Sequence, residues 1–272
     1  LCNSIGVAKM ADDHADAIRK LADERERVCN PGRVCEKKAA WERRGMAGGR
    51  VRSVCELAKG AGPVLHRAMP NTALTDEIAA SRNEILQALA DATARPVELI
   101  AVSKKQLDER IEAALAAGQR IFGENRVQEA QERWQDRRGI EGLQLHLIGP
   151  LQSNKSEDAV ALFDVIQTVD RKKIVRTLAE AAEKLGRFPD LLIQVNTGEE
   201  EQKSGVSPAE VPGLIAYTRE TYKGALKGLM CIPPVDEPAG PHFALLAKLA
   251  AQAELPWVSM GMSADYALAA RF

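Results

Sequence analysis

The sequence contains no apolar run approaching the ~20 residues that span a bilayer, and its first residues lack the apolar core of a secretory leader. Neither sign of charge is in surplus. The formal net charge is −1, which removes the bulk electrostatic case for nucleic acid or an anionic membrane as partner. Histidine is scarce: His14, His66, His146 and His242 are scattered, with no H-x-x-x-H or H-E-x-x-H spacing to suggest a metal site. A G-x-S-x-G elbow and a P-loop are both missing. The five cysteines, Cys2, Cys29, Cys35, Cys55 and Cys231, include no C-x-x-C pair. Their odd number and irregular spacing argue against a disulfide framework or a structural zinc and fit free thiols in a reducing compartment. A cytoplasmic protein is the expectation.

What is present divides in two. Apolar content is 45% and charged content 28% over 272 residues, the make-up of an ordinary globular chain. Residues 1–68 are rich in Arg and Lys, carry the pair Gly48-Gly49 and show little apolar periodicity. Leu1 opens the chain, and Met46 and Met69 are candidate internal starts. This stretch reads as a poorly ordered or artefactual extension, with a basic arm that docks a partner as the functional alternative. Residues 69–272 read as one domain. A helix over Thr72–Ala92 places Leu74, Ile78, Ile85 and Leu89 on one face and ends before Pro96.

A strand–helix alternation follows. Strands are predicted at Val97–Ser103, Gln119–Gly123, Leu143–Gly149, Asp164–Val169, Asp190–Asn196, Leu226–Ile232 and Pro256–Gly261, each followed by a helix. The helix after the fifth strand opens on Ser207-Pro208-Ala209-Glu210, which has the form of a capping box, although Pro212 blurs that boundary. Ser263 is expected to cap the last helix, running to Phe272. The strands are continuous apolar runs, the pattern of a parallel sheet buried on both faces. An open doubly wound sheet or a (β/α)8 barrel would fit, and seven uninterrupted units favour the barrel, one unit short.

In a barrel the chemistry sits at the carboxyl ends of the strands. Those positions hold Ser103-Lys104-Lys105, Gly123-Glu124-Asn125, His146, Asn196-Thr197-Gly198, Met230 and Gly261-Met262-Ser263. A lysine shielded from water at a barrel mouth has its neutral amine more accessible, and a neutral amine forms an imine with an aldehyde. A solvated strand-end lysine is the plain alternative. His146 reads as a core histidine or a ligand. Gly261-Met262-Ser263 reads as a turn with a helix cap or as a phosphate cradle of free backbone N–H groups.

The segments Ala101-Val-Ser-Lys104, Phe122-Gly-Glu-Asn125, His146-Leu-Ile-Gly-Pro-Leu-Gln-Ser-Asn-Lys155, Lys203-Ser-Gly205, Gly228-Leu-Met230 and Ser259-Met-Gly-Met-Ser263 occur in this order. Together they resemble the YggS/PROSC-type pyridoxal 5′-phosphate (PLP) homeostasis proteins, from about residue 72 to the end. The resemblance implies an α/β fold, a (β/α)8 TIM-type barrel like the alanine racemase N-terminal domain, preceded by one helix. It implies PLP held as an imine on Lys104, with Gly261, Met262 and Ser263 at the phosphate and Asn125, Asn196 and Met230 lining the pocket. It further implies a monomeric, non-catalytic carrier in intracellular PLP homeostasis, with PLP-dependent apoenzymes as candidate recipients.

Two departures from the family pattern stand out. The family often has a second basic residue two positions after the lysine, where this chain has Gln106, with Lys105 one place earlier. The family also continues into an eighth strand that completes the phosphate site, whereas this chain stops at Arg271-Phe272. Open edges on the first and seventh predicted strands, weak PLP binding and poor stability are therefore expected. The competing readings are a PLP-dependent amino-acid racemase, which needs a second domain with a catalytic tyrosine, and a cofactor-free aldolase in which Lys104 attacks a substrate carbonyl.

Overall fold

The computed structural model describes residues 3–8 and 72–272. Eight parallel strands form a closed barrel in chain order. They are β1 (Asn3–Ala8), β2 (Val97–Val102), β3 (Ile121–Glu124), β4 (Gln144–Leu147), β5 (Val165–Val169), β6 (Asp190–Val195), β7 (Leu226–Cys231) and β8 (Trp257–Met260). The helices are α1 (Thr72–Ala92), α2 (Asp108–Ala116), α3 (Val127–Trp134), α4 (Ser156–Leu162), α5 (Lys172–Leu185), α6 (Val211–Thr221), α7 (Ala239–Gln252) and α8 (Tyr266–Ala269). Among the described residues no helix is long and apolar enough to cross a membrane.

The pleat sorts the strand residues into two sets, because successive side chains point to opposite faces. Phe122, Leu145, Leu147, Leu191, Ile193 and Val258 join the core between the strands and the helix ring. Val165, Leu192 and Met230 form a separate cluster against Trp257, inside the barrel. Residues of β5 are buried throughout, so both faces of the strand are covered. That two-sided burial is why the strands read as unbroken apolar runs. α1 lays Ile78 and Leu89 onto the barrel, and Arg82 holds it there by donating to Gln119 Oε1 at 3.1 Å. Gln119 in turn donates to the carbonyls of Leu99 and Ile121.

At the amino ends of the strands, Asp164 is the knot. Its carboxylate accepts two hydrogen bonds from Arg138, one from Arg187 and one from the Leu145 N–H. Burial alone would raise the Asp164 pKa, but these partners outweigh it and hold the carboxyl below its ordinary value. The stability they supply is present at neutral pH and is lost as the pH falls through that depressed pKa.

The expected open edges do not occur. β1 lies between the first and last of the predicted strands, which are β2 and β8. It pairs in parallel with β2, Ser4 opposite Val97 through Ala8 opposite Ala101, and with β8, Asn3 opposite Trp257 through Gly6 opposite Met260. A strand on either side of a gap leaves a row of unpaired N–H and C=O groups, and one short segment bonded on both edges satisfies both rows at once. Of the extension expected over residues 1–68, these six residues take part in the barrel, while 9–68 lie outside the described residues.

Two helix starts also differ from expectation. Ser207 Oγ bonds the Glu210 carboxylate at 2.5 Å instead of a backbone N–H. A short 3-10 turn over Pro208–Glu210 precedes α6, whose first turn takes Pro212 where a missing N–H costs nothing. The last helix begins at Tyr266 with Asp265 as its N-cap residue, not Ser263.

Deleting residues 1–8 should unpair the edges of β2 and β8. Thermal unfolding of the full chain against this deletion is expected to show a lower midpoint and concentration-dependent aggregation for the deletion. An unchanged midpoint would mean that β1 does not close the barrel.

Candidate functional site

The carboxyl end of β2 is built around one buried carboxylate. Glu124, the last residue of β3, is fully buried and its Oε1 accepts three hydrogen bonds. They come from Ser103 Oγ at 2.7 Å, an Arg133 guanidinium nitrogen at 2.7 Å and Trp134 Nε1 at 2.9 Å. Arg133 and Trp134 close α3, which starts only three residues after Glu124, so helix and strand end are locked together. The Trp134 ring also packs on Phe122, with centroids 4.6 Å apart.

Through Ser103 this hub reaches Lys104. The Ser103 N–H donates to the Gly123 carbonyl at 3.0 Å. The chain then turns, with the Gln106 N–H returned to the Ser103 carbonyl. Lys105 takes the left-handed conformation at φ 59° that the turn demands. Lys104 is half-buried, whereas Lys105 is exposed. Gln106 occupies the expected second basic position and its carbonyl accepts from Arg133. Lys104 lies two residues beyond Val102, in the turn that follows the carboxyl end of β2.

Asn125 stands next around the barrel. It is two residues beyond Gly123, and its Oδ1 is buried without a hydrogen-bond partner. Gly149 is required behind it, because a Cβ there would collide with the Asn125 backbone. Gly123 is required for a related reason: Ile148 Cδ1 lies 2.9 Å from where its Cβ would be.

The remaining predicted residues behave differently from one another. Met230 is buried in the interior cluster below the mouth. Asn196 turns its side chain onto its own loop, where Nδ2 donates to the Glu200 carbonyl at 2.8 Å and Oδ1 accepts the Glu200 N–H at 3.3 Å. The Lys203-Ser-Gly205 motif is a staple of the same loop. Lys203 pairs with Glu200, and Gly205, at φ 121°, lets Val206 bond alongside β6, with its N–H to the Gln194 carbonyl and its carbonyl to the Asn196 N–H.

At the end of β8, Gly261 takes φ 91° and packs so closely on α8 that a Cβ would meet Ala269 at 2.8 Å. The Met262 N–H donates to Asp265 Oδ1 at 2.6 Å, so one donor that this turn could offer an anion is already engaged. Met262 and Ser263 are exposed. Among the described residues no cluster of three or more potential metal ligands occurs.

His146 lies inside the barrel, since its neighbours Leu145 and Leu147 both face the helices. Burial pushes its pKa down from 6.5 to about 4, against a smaller opposing pull from Asp164. Its Nε2 is buried and unpartnered.

The residues fit the expected cofactor on three counts. A primary amine stands at a strand end, where an aldehyde can reach it. A buried acceptor, Asn125 Oδ1, waits without a partner beside it. A turn at the carboxyl end of β8, with Gly261 packed on α8, lies at the same end of the barrel. The Glu124 hub was the part that spacing could not reveal. Glu124 was visible only as a polar residue at a strand end, and its partners come from two other elements.

The family description "Alanine racemase, N-terminal domain" matches residues 79–272. The pyridoxal phosphate homeostasis protein of Pasteurella multocida is 40% identical over 185 residues, 64% of this chain and 79% of its own. That of Escherichia coli is 36% identical over 181 residues, 62% of this chain and 76% of its own. Among solved structures, PipY of Synechococcus elongatus without PLP is 37% identical with a TM-score of 0.64, covering 71% of this chain and 93% of that one. The same protein with PLP bound is 38% identical with a TM-score of 0.57, covering 71% and 92%. An alanine racemase of Clostridium difficile, 15% identical with a TM-score of 0.54 over 68% of this chain and 51% of its own, shares the fold.

Two outcomes follow from the buried groups. Arg133→Ala leaves the Glu124 charge buried without its counter-ion and should cost about 3–5 kcal/mol in denaturant unfolding, whereas Ser103→Ala should cost about 1 kcal/mol. For His146 the folded-state pKa lies below the unfolded one, so its contribution is intact above pH 6.5 and is lost as the pH falls towards 4. Between pH 7 and pH 5 that loss is about 2 kcal/mol. The wild-type unfolding free energy should therefore drop more over this interval than that of His146→Gln.

Proposed function

The chain belongs to the pyridoxal phosphate homeostasis proteins, within the alanine racemase N-terminal domain family, and from that premise we propose that it binds PLP at the carboxyl-end mouth of its barrel and holds it for delivery without turning over a substrate. The observation that carries the reading is the half-buried Lys104, set at the end of β2 by Ser103 and the Glu124 hub beside the unpartnered Asn125 Oδ1. When bound, the cofactor supplies an aldehyde that condenses with a primary amine and releases water.

This chain's own residues do the rest. Lys104 provides the amine and fixes the ligand covalently. Asn125 orients the ring edge, and the Gly261–Ser263 turn receives the phosphate through groups other than the Met262 N–H, which Asp265 occupies. Met230, in the cluster with Val165, Leu192 and Trp257, gives one side of the interior below an apolar wall. Asn196 supports the site through its loop. Retention without turnover accords with Lys105, the next amine along the chain, being exposed. The names of the relatives favour the same role. PLP-dependent apoenzymes are the recipients this reading implies, and the cytoplasm, with the protein as a monomer, is where it places the work.

The test is a visible absorption titration of the full chain with PLP, followed by borohydride reduction and mapping of the modified residue. A band fixed by reduction onto Lys104, and absent from Lys104→Ala, is the expected result. Equal bands in both proteins, or modification spread over surface lysines, would overturn the assignment.

A further inference from the structure

A polar chain runs across the barrel interior, and the reading above leaves it without a role. Ser259 Oγ on β8 donates to Gln167 Oε1 on β5 at 2.7 Å. Gln167 Nε2 lies 2.8 Å from His146 Nδ1 on β4. All three residues are buried, at 0%, 0% and 1% exposure. With the Gln167 amide oriented so that its oxygen faces Ser259, one imidazole tautomer satisfies both contacts. Gln167 Oε1 can only accept, so its amide nitrogen faces His146, and that nitrogen can only donate. His146 Nδ1 must then accept, and the ring proton resides on Nε2. This is the atom that has no partner. A buried donor without an acceptor costs roughly 1–3 kcal/mol in a folded protein, so its persistence asks for an explanation.

The register shows what lies above it. Val102, Gly123 and His146 are paired across β2, β3 and β4 in one row, all with inward parity. Two residues further along, just past the carboxyl ends of β2 and β3, the chain carries Lys104 and Asn125. His146 therefore sits one layer beneath the two residues assigned to the ligand, with a donor left over. Asn125, on the adjacent strand, has an acceptor left over. A single hydroxyl answers both, accepting from the imidazole and donating to the amide oxygen.

PLP carries such a group. Its aldehyde is flanked on one side by the ring hydroxyl and on the other by the phosphate arm. The turn at β8 and Lys104 at β2 fix the arm and the aldehyde, which leaves the hydroxyl facing β3 and β4. We propose that His146 is a ligand-binding residue whose Nε2–H donates to the ring hydroxyl oxygen of PLP, held in that tautomer by Gln167 and Ser259. The inference rests on PLP as the ligand and adds a contact from inside the barrel to those at its mouth.

The probe is the full chain titrated with PLP and with 3-deoxypyridoxal 5′-phosphate, which lacks the hydroxyl. In [15N]histidine-labelled wild-type protein the His146 Nε2–H resonance should shift with PLP and stay unmoved with the deoxy analogue. His146→Phe should weaken PLP binding roughly tenfold, the equivalent of about 1.4 kcal/mol, yet leave the affinity for the analogue unchanged. Equal losses for both ligands, or a resonance that PLP does not move, would overturn the proposal, and the resonance stands even where the variant folds poorly. A wild-type chain that forms no Lys104-linked band with PLP overturns the functional reading itself. A chain that forms the band while the His146 resonance stays still overturns only the contact.

Discussion

One buried carboxylate organises the end of the barrel where the chemistry lies. Glu124 Oε1 gathers the Ser103 hydroxyl just past β2 and a guanidinium and an indole from α3, and its own side chain is fully buried. Charge-assisted hydrogen bonds of this kind are roughly twice as strong as neutral ones and narrow the permitted geometry. A lysine has four rotatable bonds and is a poor anchor by itself. Here its backbone is positioned by the residue before it and by the carbonyl two residues after it, both tied to the same ion pair. The ion pair therefore limits how far Lys104 can wander, although neither partner touches a ligand.

Much of the architecture was legible because a parallel barrel buries both faces of each strand. Val165–Val169 and Asp190–Val195 could hardly be read otherwise. α1 was read with its observed limits, Thr72–Ala92, because its apolar face repeats at helical spacing and Pro96 follows. β1 was not legible. Asn-Ser-Ile-Gly-Val-Ala has no long apolar run, and its place is determined by two edges that appear only once the other seven strands have curled. That is a non-local requirement, and periodicity reports only local ones.

The site shows the same division. Lys104 and Asn125 stand just past the ends of β2 and β3, the strand-end positions that the strand pattern predicts. Asn196 looked equivalent to Asn125 at that level, yet its amide is taken up by a loop whose return path depends on Gly205 adopting φ 121°. Ser263 resembled a helix cap by residue type, but Asp265 already holds the Met262 N–H, and α8 starts after it. In each case a competing hydrogen bond decided the outcome, and such bonds join residues whose proximity only the folded chain reveals.

The way the barrel closes has a consequence for how the chain is made. β1 pairs with β8, so Asn3 meets Trp257. Of the described strands β1 is made before β8 and must wait for it before its second edge is covered. Contacts of such high sequence separation are late and slow to form, because the loop entropy is spent before they return anything. During synthesis the nascent chain would present a curled, incomplete sheet with two exposed edges. That is the kind of species that chaperones bind and that neighbouring chains on a polysome can invade. The yield of folded protein should then respond to translation speed and chaperone supply more than its final thermodynamic stability would suggest.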